Sequence, residues 1–167
     1  MPASREGPYV TVELVELTPP PGIPRWKWQP FDKNPNYDHD EWWHRLPNVD
    51  ANQYPLYSAR IDGAEVARVQ LEKTLNFEHY RRAGLYHAAT LGIARIEVGF
   101  KLRTRGIGKA VVAAIAAKFP YSRLVAFSVG ADGFWGESLN WERFEPDSGP
   151  GHGPMFVAPV GWAGTHR

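Results

Sequence analysis

The chain contains no cysteine. That absence removes disulfide scaffolds, thiolate zinc sites, thiol nucleophiles and acyl-cysteine intermediates, and leaves any chemistry to oxygen and nitrogen groups. A dominant charge is missing as well. The 19 Lys and Arg stand against 18 Asp and Glu, a formal net charge of +1, which is too balanced for a dedicated nucleic-acid binder. Any anion site must therefore come from local placement. Long apolar runs are also absent: the weakly apolar Ala110 to Ala117 is far too short to cross a bilayer, and Met1 to Tyr9 lacks the apolar core of a secretory signal. No nucleic-acid or membrane partner is expected, and a cytoplasmic location is. The 167 residues, 43% apolar and 22% charged, suit one globular domain over 1–167.

Val10, Val12, Leu14 and Leu17 alternate with polar neighbours and predict a first strand. The Pro- and Trp-rich stretch 18–47 reads as an insertion, because Pro19, Pro20 and Pro21 exclude a continuous helix or a central strand. Within it, Asp40 to Leu46 can form one or two helical turns, capped by Asp38 or Asp40 and stopped by Pro47. Leu56 to Ile61, the pair Asp62-Gly63 and Val66 to Leu71 read as a β-hairpin. Asn76 to Ala89 has no period and reads as a packed loop or broken helix. Ile93 to Val98 alternates as a strand, and the Ala- and Val-rich run after Gly108 reads as a helix to Lys118, closed by Pro120. Leu124 to Ser128 has the apolar run of a buried strand. Asp132 is a candidate cap for a helix over Phe134 to Leu139, with Asn140 able to take the left-handed position after it. The Gly/Pro-rich tail 145–167 offers Met155 to Val157 as a last strand, and the core is expected within 54–144.

The informative segment is strand, then Arg103-Thr104-Arg105-Gly106-Ile107-Gly108-Lys109, then helix. Two glycines allow a tight turn and close backbone approach, and the first helical amides have no internal partners. With Arg103, Arg105 and Lys109 around the same point and the helix dipole behind it, the natural guest is a diphosphate. Two rival motifs fail on their letters. A P-loop needs Gly at Arg103 and a hydroxyl after Lys109, where Ala110 stands. A dinucleotide fingerprint needs Gly at Val111 and an acid near Arg123 to Phe127.

The remaining pattern, Arg-x-x-Gly-x-Gly between strand and helix, resembles the GNAT superfamily of N-acetyltransferases. The resemblance extends from Tyr54 to Phe144: Ile93 to Val98 is similar to the family's fourth strand, Ile107 to Lys118 to its third helix, Leu124 to Ser128 to its fifth strand, and Phe134-Trp135 to Trp141 to its aromatic fourth helix and exit. It implies an α/β fold with a mixed, mostly antiparallel sheet, splayed between the fourth and fifth strands, with helices on both faces. It also implies acetyl-CoA as acyl donor and direct attack by an amine, small-molecule or peptide, with no metal. Backbone groups of Ile96, Glu97 and Val98 would pair with the pantetheine arm. Arg103, Thr104, Arg105, Gly106, Ile107, Gly108 and Lys109 would hold the pyrophosphate, with Ser128 and Trp135 also on the cofactor side.

At the catalytic positions the chain departs from the family. The common base position, nine residues before Arg103, is Ala94. Alternation turns Glu97 to the opposite face unless the strand carries a bulge. The usual tyrosine falls on Trp135 or Gly136, so no phenol is present. Glu97 or Glu72 is the expected acceptor of the amine proton, with Glu78 and His87 as further groups within reach of the same idea. A non-catalytic acyl-CoA-binding or regulatory module is the alternative. His39, Asp40 and His44 lack one clean helical face and a fourth ligand, so no metal site is expected. Trp26, Trp28, Trp42 and Trp43 can line an acceptor pocket or anchor the core. A homodimer through the last strand or the aromatic amino-terminal segment is conceivable.

Overall fold

The hairpin at Asp62-Gly63 sets the frame of the sheet. Both residues adopt positive φ, 50° and 81°, the backbone that a two-residue turn with the twist of its strands requires. In the computed structural model, which describes residues 10–44, 52–147 and 151–164, seven strands form one sheet. They are β1 (Glu13–Leu17), β2 (Leu56–Ile61), β3 (Ala64–Glu72), β4 (Thr90–Val98), β5 (Arg123–Phe127), β6 (Glu142–Phe144) and β7 (Met155–Val157). Their order is β1-β2-β3-β4-β5-β7-β6. Every neighbouring pair is antiparallel except β4 and β5, which are joined by the crossover helix α2 (Ile107–Lys118), as a parallel pair must be.

The splay expected between the fourth and fifth strands is present, and its local cause is visible. β4 and β5 pair only from Thr90↔Arg123 to Ile93↔Ala126. On the other side, Leu71 faces Ile93 while Gln70 faces Arg95, so Ala94 is an extra residue in β4. Such a bulge bends and twists its strand, and from Ala94 to Val98 no strand of the described residues covers the β5 side of β4.

Helix α2 lays Val111, Val112 and Ile115 on the sheet against Ala67, Val69, Leu71, Leu91 and Ile93, all buried. The opposite face is closed in two parts. Phe77, Tyr80 and Leu85 cover Val125, Met155 and Val157. Segment 18–44, with the short helix α1 (Asp40–His44), covers the β2–β3–β4 side through Phe31 and Trp43 on Leu56. Helical segments thus occupy both faces.

Several expectations need correction. β1 starts at Glu13 rather than Val10, and β4 starts three residues before Ile93. β6 carries two charges in three residues and was not expected. The helix expected over Phe134 to Leu139 is present as Phe134–Ser138, one residue shorter and of π type: Leu139 N–H donates to Phe134 O at 3.0 Å. Gly136 lets the turn sit on the Phe156 ring, 3.1 Å from where a Cβ would stand. Asp132 does not cap it; its carboxylate receives the Ser128 hydroxyl at 2.6 Å and the Arg143 guanidinium at 2.9 Å. Asn140 does take the left-handed position, with φ 55°. Met1 to Tyr9, Leu46 and Pro47 lie outside the described residues. Among those described, no helix is long and apolar enough to cross a membrane.

Candidate functional site

After β4 the chain makes one 3₁₀ turn, Phe100–Leu102, and enters the glycine loop. Thr104 has φ 65° and Gly106 φ 76°. Gly106 would meet nothing within 4 Å if it carried a Cβ, so the backbone conformation alone calls for glycine there. For the β-branched Thr104 the same conformation is strained by about 1–3 kcal/mol, and such strain concentrates at functional loops. The result is a concave run of amides. The first internal bond of α2 is Ala110 N–H to Gly106 O at 3.1 Å, and the amides of Arg105, Gly106, Ile107, Gly108 and Lys109 have no acceptor among the described residues. Gly108 packs under Phe134, whose ring lies 3.1 Å from the position a Cβ would take.

Around these amides the cations divide into two kinds. Lys101, Arg105 and Lys109 have no carboxylate partner among the described residues. Arg103 is fully engaged: its Nη1 lies 2.6 Å from Asp38 Oδ2, its Nη2 3.4 Å from Glu97 Oε2, and its Nε donates to Val98 O at 3.1 Å. Expected as a phosphate ligand, it is turned back into the protein.

The open flank of β4 leads to this loop. Gly99 N–H donates to Val66 O on β3 at 3.0 Å, and alternation then turns the main-chain groups of Ile96 and Val98 away from β3, toward the gap left by β5. Glu97 main-chain groups face β3, where Arg68 is its partner. An extended ligand entering the gap could pair with Ile96 and with the Val98 amide, in the manner of strand addition. The Ser128 hydroxyl accepts from Ala131 N–H at 3.2 Å and holds Asp132, and Trp135 is 4% exposed within the core, 5.0 Å from Trp141.

The two candidate acids are placed far apart and in unlike surroundings. Glu97 is 4% exposed. Its Oε1 accepts the Trp43 indole N–H at 2.9 Å, and its Oε2 accepts the His39 amide at 3.0 Å besides facing Arg103. The bulge is present, but at Ala94, and Glu97 points to the face covered by segment 32–44. Glu72 lies on β3 four residues from Arg68, the partner of Glu97, and so roughly 14 Å from Glu97 at the usual strand rise and spacing. It is half-buried; burial raises its pKa above the ordinary carboxylate value, and the hydrogen bond from the Tyr54 hydroxyl, 3.2 Å away, opposes that rise. A cleft of about 550 Å³ adjoins that end of β3, lined by Lys73, Leu75, Phe77, Leu85, Tyr86 and Thr90 among others.

Sequence reading missed the pairings of Tyr54 with Glu72, Asp38 with Arg103 and Trp43 with Glu97, because each joins residues at least 18 positions apart. The four tryptophans left open between pocket and anchor divide. Trp43 is fully buried beneath Phe31, 5.1 Å away, and Trp26 is 64% exposed. His39 stacks on Trp42 at 4.0 Å, and His44 bonds Asp40 at 3.0 Å.

No family profile matches the chain, and no curated protein matches it in sequence. Solved structures do match in fold. A bacterial toxin is 13% identical, with 89% of this chain and 91% of that chain aligned at a TM-score of 0.52. An acetyltransferase from Thermus thermophilus is 15% identical over 65% of each chain, at 0.49. A Bacillus subtilis N-acetyltransferase in complex with coenzyme A is 18% identical over 64% of this chain and 68% of that one, at 0.47. The chain spans just under two thirds of the Thermus protein's length.

Proposed function

We propose that the chain is a GNAT-type N-acetyltransferase that uses acetyl-CoA and transfers the acetyl group to the amine of a small molecule or peptide, acting in the cytoplasm. The observation that carries this reading is the run of five partnerless amides from Arg105 to Lys109, with the Arg105 and Lys109 side chains free beside it. The diphosphate of coenzyme A has the charge and the acceptor oxygens such a cradle lacks, and each charge-assisted bond to it contributes about 1.5–3 kcal/mol. Further support comes from the open flank at Ile96 and Val98, which suits the pantetheine arm, and from the bulge at Ala94, which sits where the strands part.

The cofactor supplies an acyl group activated as a thioester. In a ternary complex the amine nitrogen forms a bond to the thioester carbonyl carbon, the carbon–sulfur bond breaks, and the thiolate takes a proton from water. The amine must be neutral to attack, so a base has to remove its proton. Glu72 is the better placed of the two acids: burial makes it a stronger base than an ordinary carboxylate, and it lies beside a cleft, whereas both Glu97 oxygens are occupied.

Measuring coenzyme A release above the hydrolysis background over a panel of amines, alongside calorimetry with coenzyme A, tests the reading. Binding together with amine-dependent release is expected; no heat of binding would refute it. One observation favours a second reading, a non-catalytic acyl-CoA-binding module: Glu97 is locked into structural bonds and the π-turn offers no phenol as acid. Binding without release on any amine is its signature.

A further inference from the structure

Arg103 and Glu97 meet beneath segment 36–44, and that meeting has an organisation of its own. The guanidinium uses all three of its nitrogens on the protein: Val98 O, Asp38 and Glu97. The Glu97 carboxylate collects donors from two separate parts of the chain, the His39 amide and Trp43 indole on one side and Arg103 on the other. Two further bonds join the same parts. Phe100 N–H donates to Asn36 O at 2.7 Å, and Arg95 Nη1 donates to Trp42 O at 2.9 Å. A carboxylate 4% exposed is strongly disfavoured unless such donors are in place, so its burial demands that both parts hold their positions together.

We propose that Arg103 and Glu97 are positioning residues, a strut that clamps segment 36–44 to the start of the glycine loop. The strut fixes the Val98 carbonyl and presets the amides of Arg105 to Lys109, while the anion itself is met by those amides with Arg105 and Lys109. Its ligand rests on the proposed acyl-CoA reading. The mechanical coupling is a property of the free protein and stands apart from it.

The alternative role for Arg103, direct phosphate ligand, predicts the opposite sign at Glu97. If Arg103 served the diphosphate and Glu97 merely restrained it, Glu97→Gln would release the guanidinium and leave binding unchanged or tighter. The strut predicts weaker binding. Wild type, Glu97→Gln, Arg103→Gln, the double variant and Asp38→Asn are compared by calorimetry with coenzyme A and by amide hydrogen exchange without it. Glu97→Gln and Arg103→Gln are each expected to weaken binding about tenfold, the loss of one bond of this class. The double variant should fall little further, since the two act as one unit. In the free protein, exchange should accelerate at both 36–44 and 99–103, where Gly99, Phe100, Leu102 and Arg103 N–H are hydrogen-bonded, in every variant, including the surface change Asp38→Asn.

The strut is overturned if Glu97→Gln binds coenzyme A as tightly as wild type. It is also overturned if exchange rises only in the segment that carries the substitution, or rises equally at Val111 to Ile115, which would mark general destabilisation. Should wild type itself give no heat with coenzyme A, the functional reading fails, and the exchange pattern still decides the strut.

Discussion

The polar face under segment 32–44 and the glycine loop are neighbours, and they treat charge in opposite ways. Under the segment, charges are matched from within. Arg68, 2% exposed, pairs with Glu65 at 2.7 Å, donates to Asp32 O at 2.8 Å and lies between the rings of Phe31 and Tyr37, 4.7 and 4.1 Å from its carbon; Glu97 has its own three donors. In the loop, five amides and two cations face outward without acceptors, on a backbone that holds Thr104 in a left-handed conformation. Matched charge in a buried place serves the fold, whereas unmatched charge held together in an exposed place is disfavoured until an anion arrives. The same residue types therefore carry different roles on the two sides of Arg103.

The comparison can be broken first on the loop side. Replacing Arg105 and Lys109 together by Ala should weaken coenzyme A binding by about a hundredfold or more, two charge-assisted bonds' worth, with a flatter salt dependence and an unchanged melting temperature; calorimetry and thermal unfolding read both. On the matched side the effect should be the reverse in kind. Trp43→Ala empties a fully buried site and takes the indole donor from Glu97, so urea unfolding should show a loss of roughly 3–5 kcal/mol.

A smaller change sharpens the boundary. Gly106→Ala meets no atom and only strains the backbone, which should destabilise the loop by about 1–2 kcal/mol and weaken coenzyme A binding by a comparable factor. The smallest effect concerns Glu72. Its folded pKa is raised by burial, so ionisation is harder in the folded state: its penalty is absent below the unfolded value, grows as pH rises between the two values, and is complete above the folded one. Glu72→Gln should remove that slope from stability against pH. In wild-type turnover the same group should give an acid limb, falling as pH drops through the raised pKa, which the variant lacks.

Legibility in the sequence followed the range of the interactions. The hairpin at Asp62-Gly63, helix α2 and the loop before it were readable because turn chemistry, periodicity and glycine spacing act over a few residues. The helix at Phe134–Ser138 was readable as a helix but its π type was not, since the distinguishing step is one extra residue per hydrogen-bonded turn, where Gly136 packs on Phe156. Arg103 looked identical to Arg105 as a letter, and the contact with Asp38, 65 residues away, is what makes their surroundings differ. The surroundings of Glu97 were illegible for the same reason: they come from Trp43 and His39, more than fifty residues away in the proline-rich stretch.

The central claim concerns amides, and amides report directly on their acceptors. Backbone NMR during titration with coenzyme A should show the signals of Arg105, Gly106, Ile107, Gly108 and Lys109 moving together downfield as phosphate oxygens reach them. Those five signals standing still at saturating coenzyme A would contradict the account.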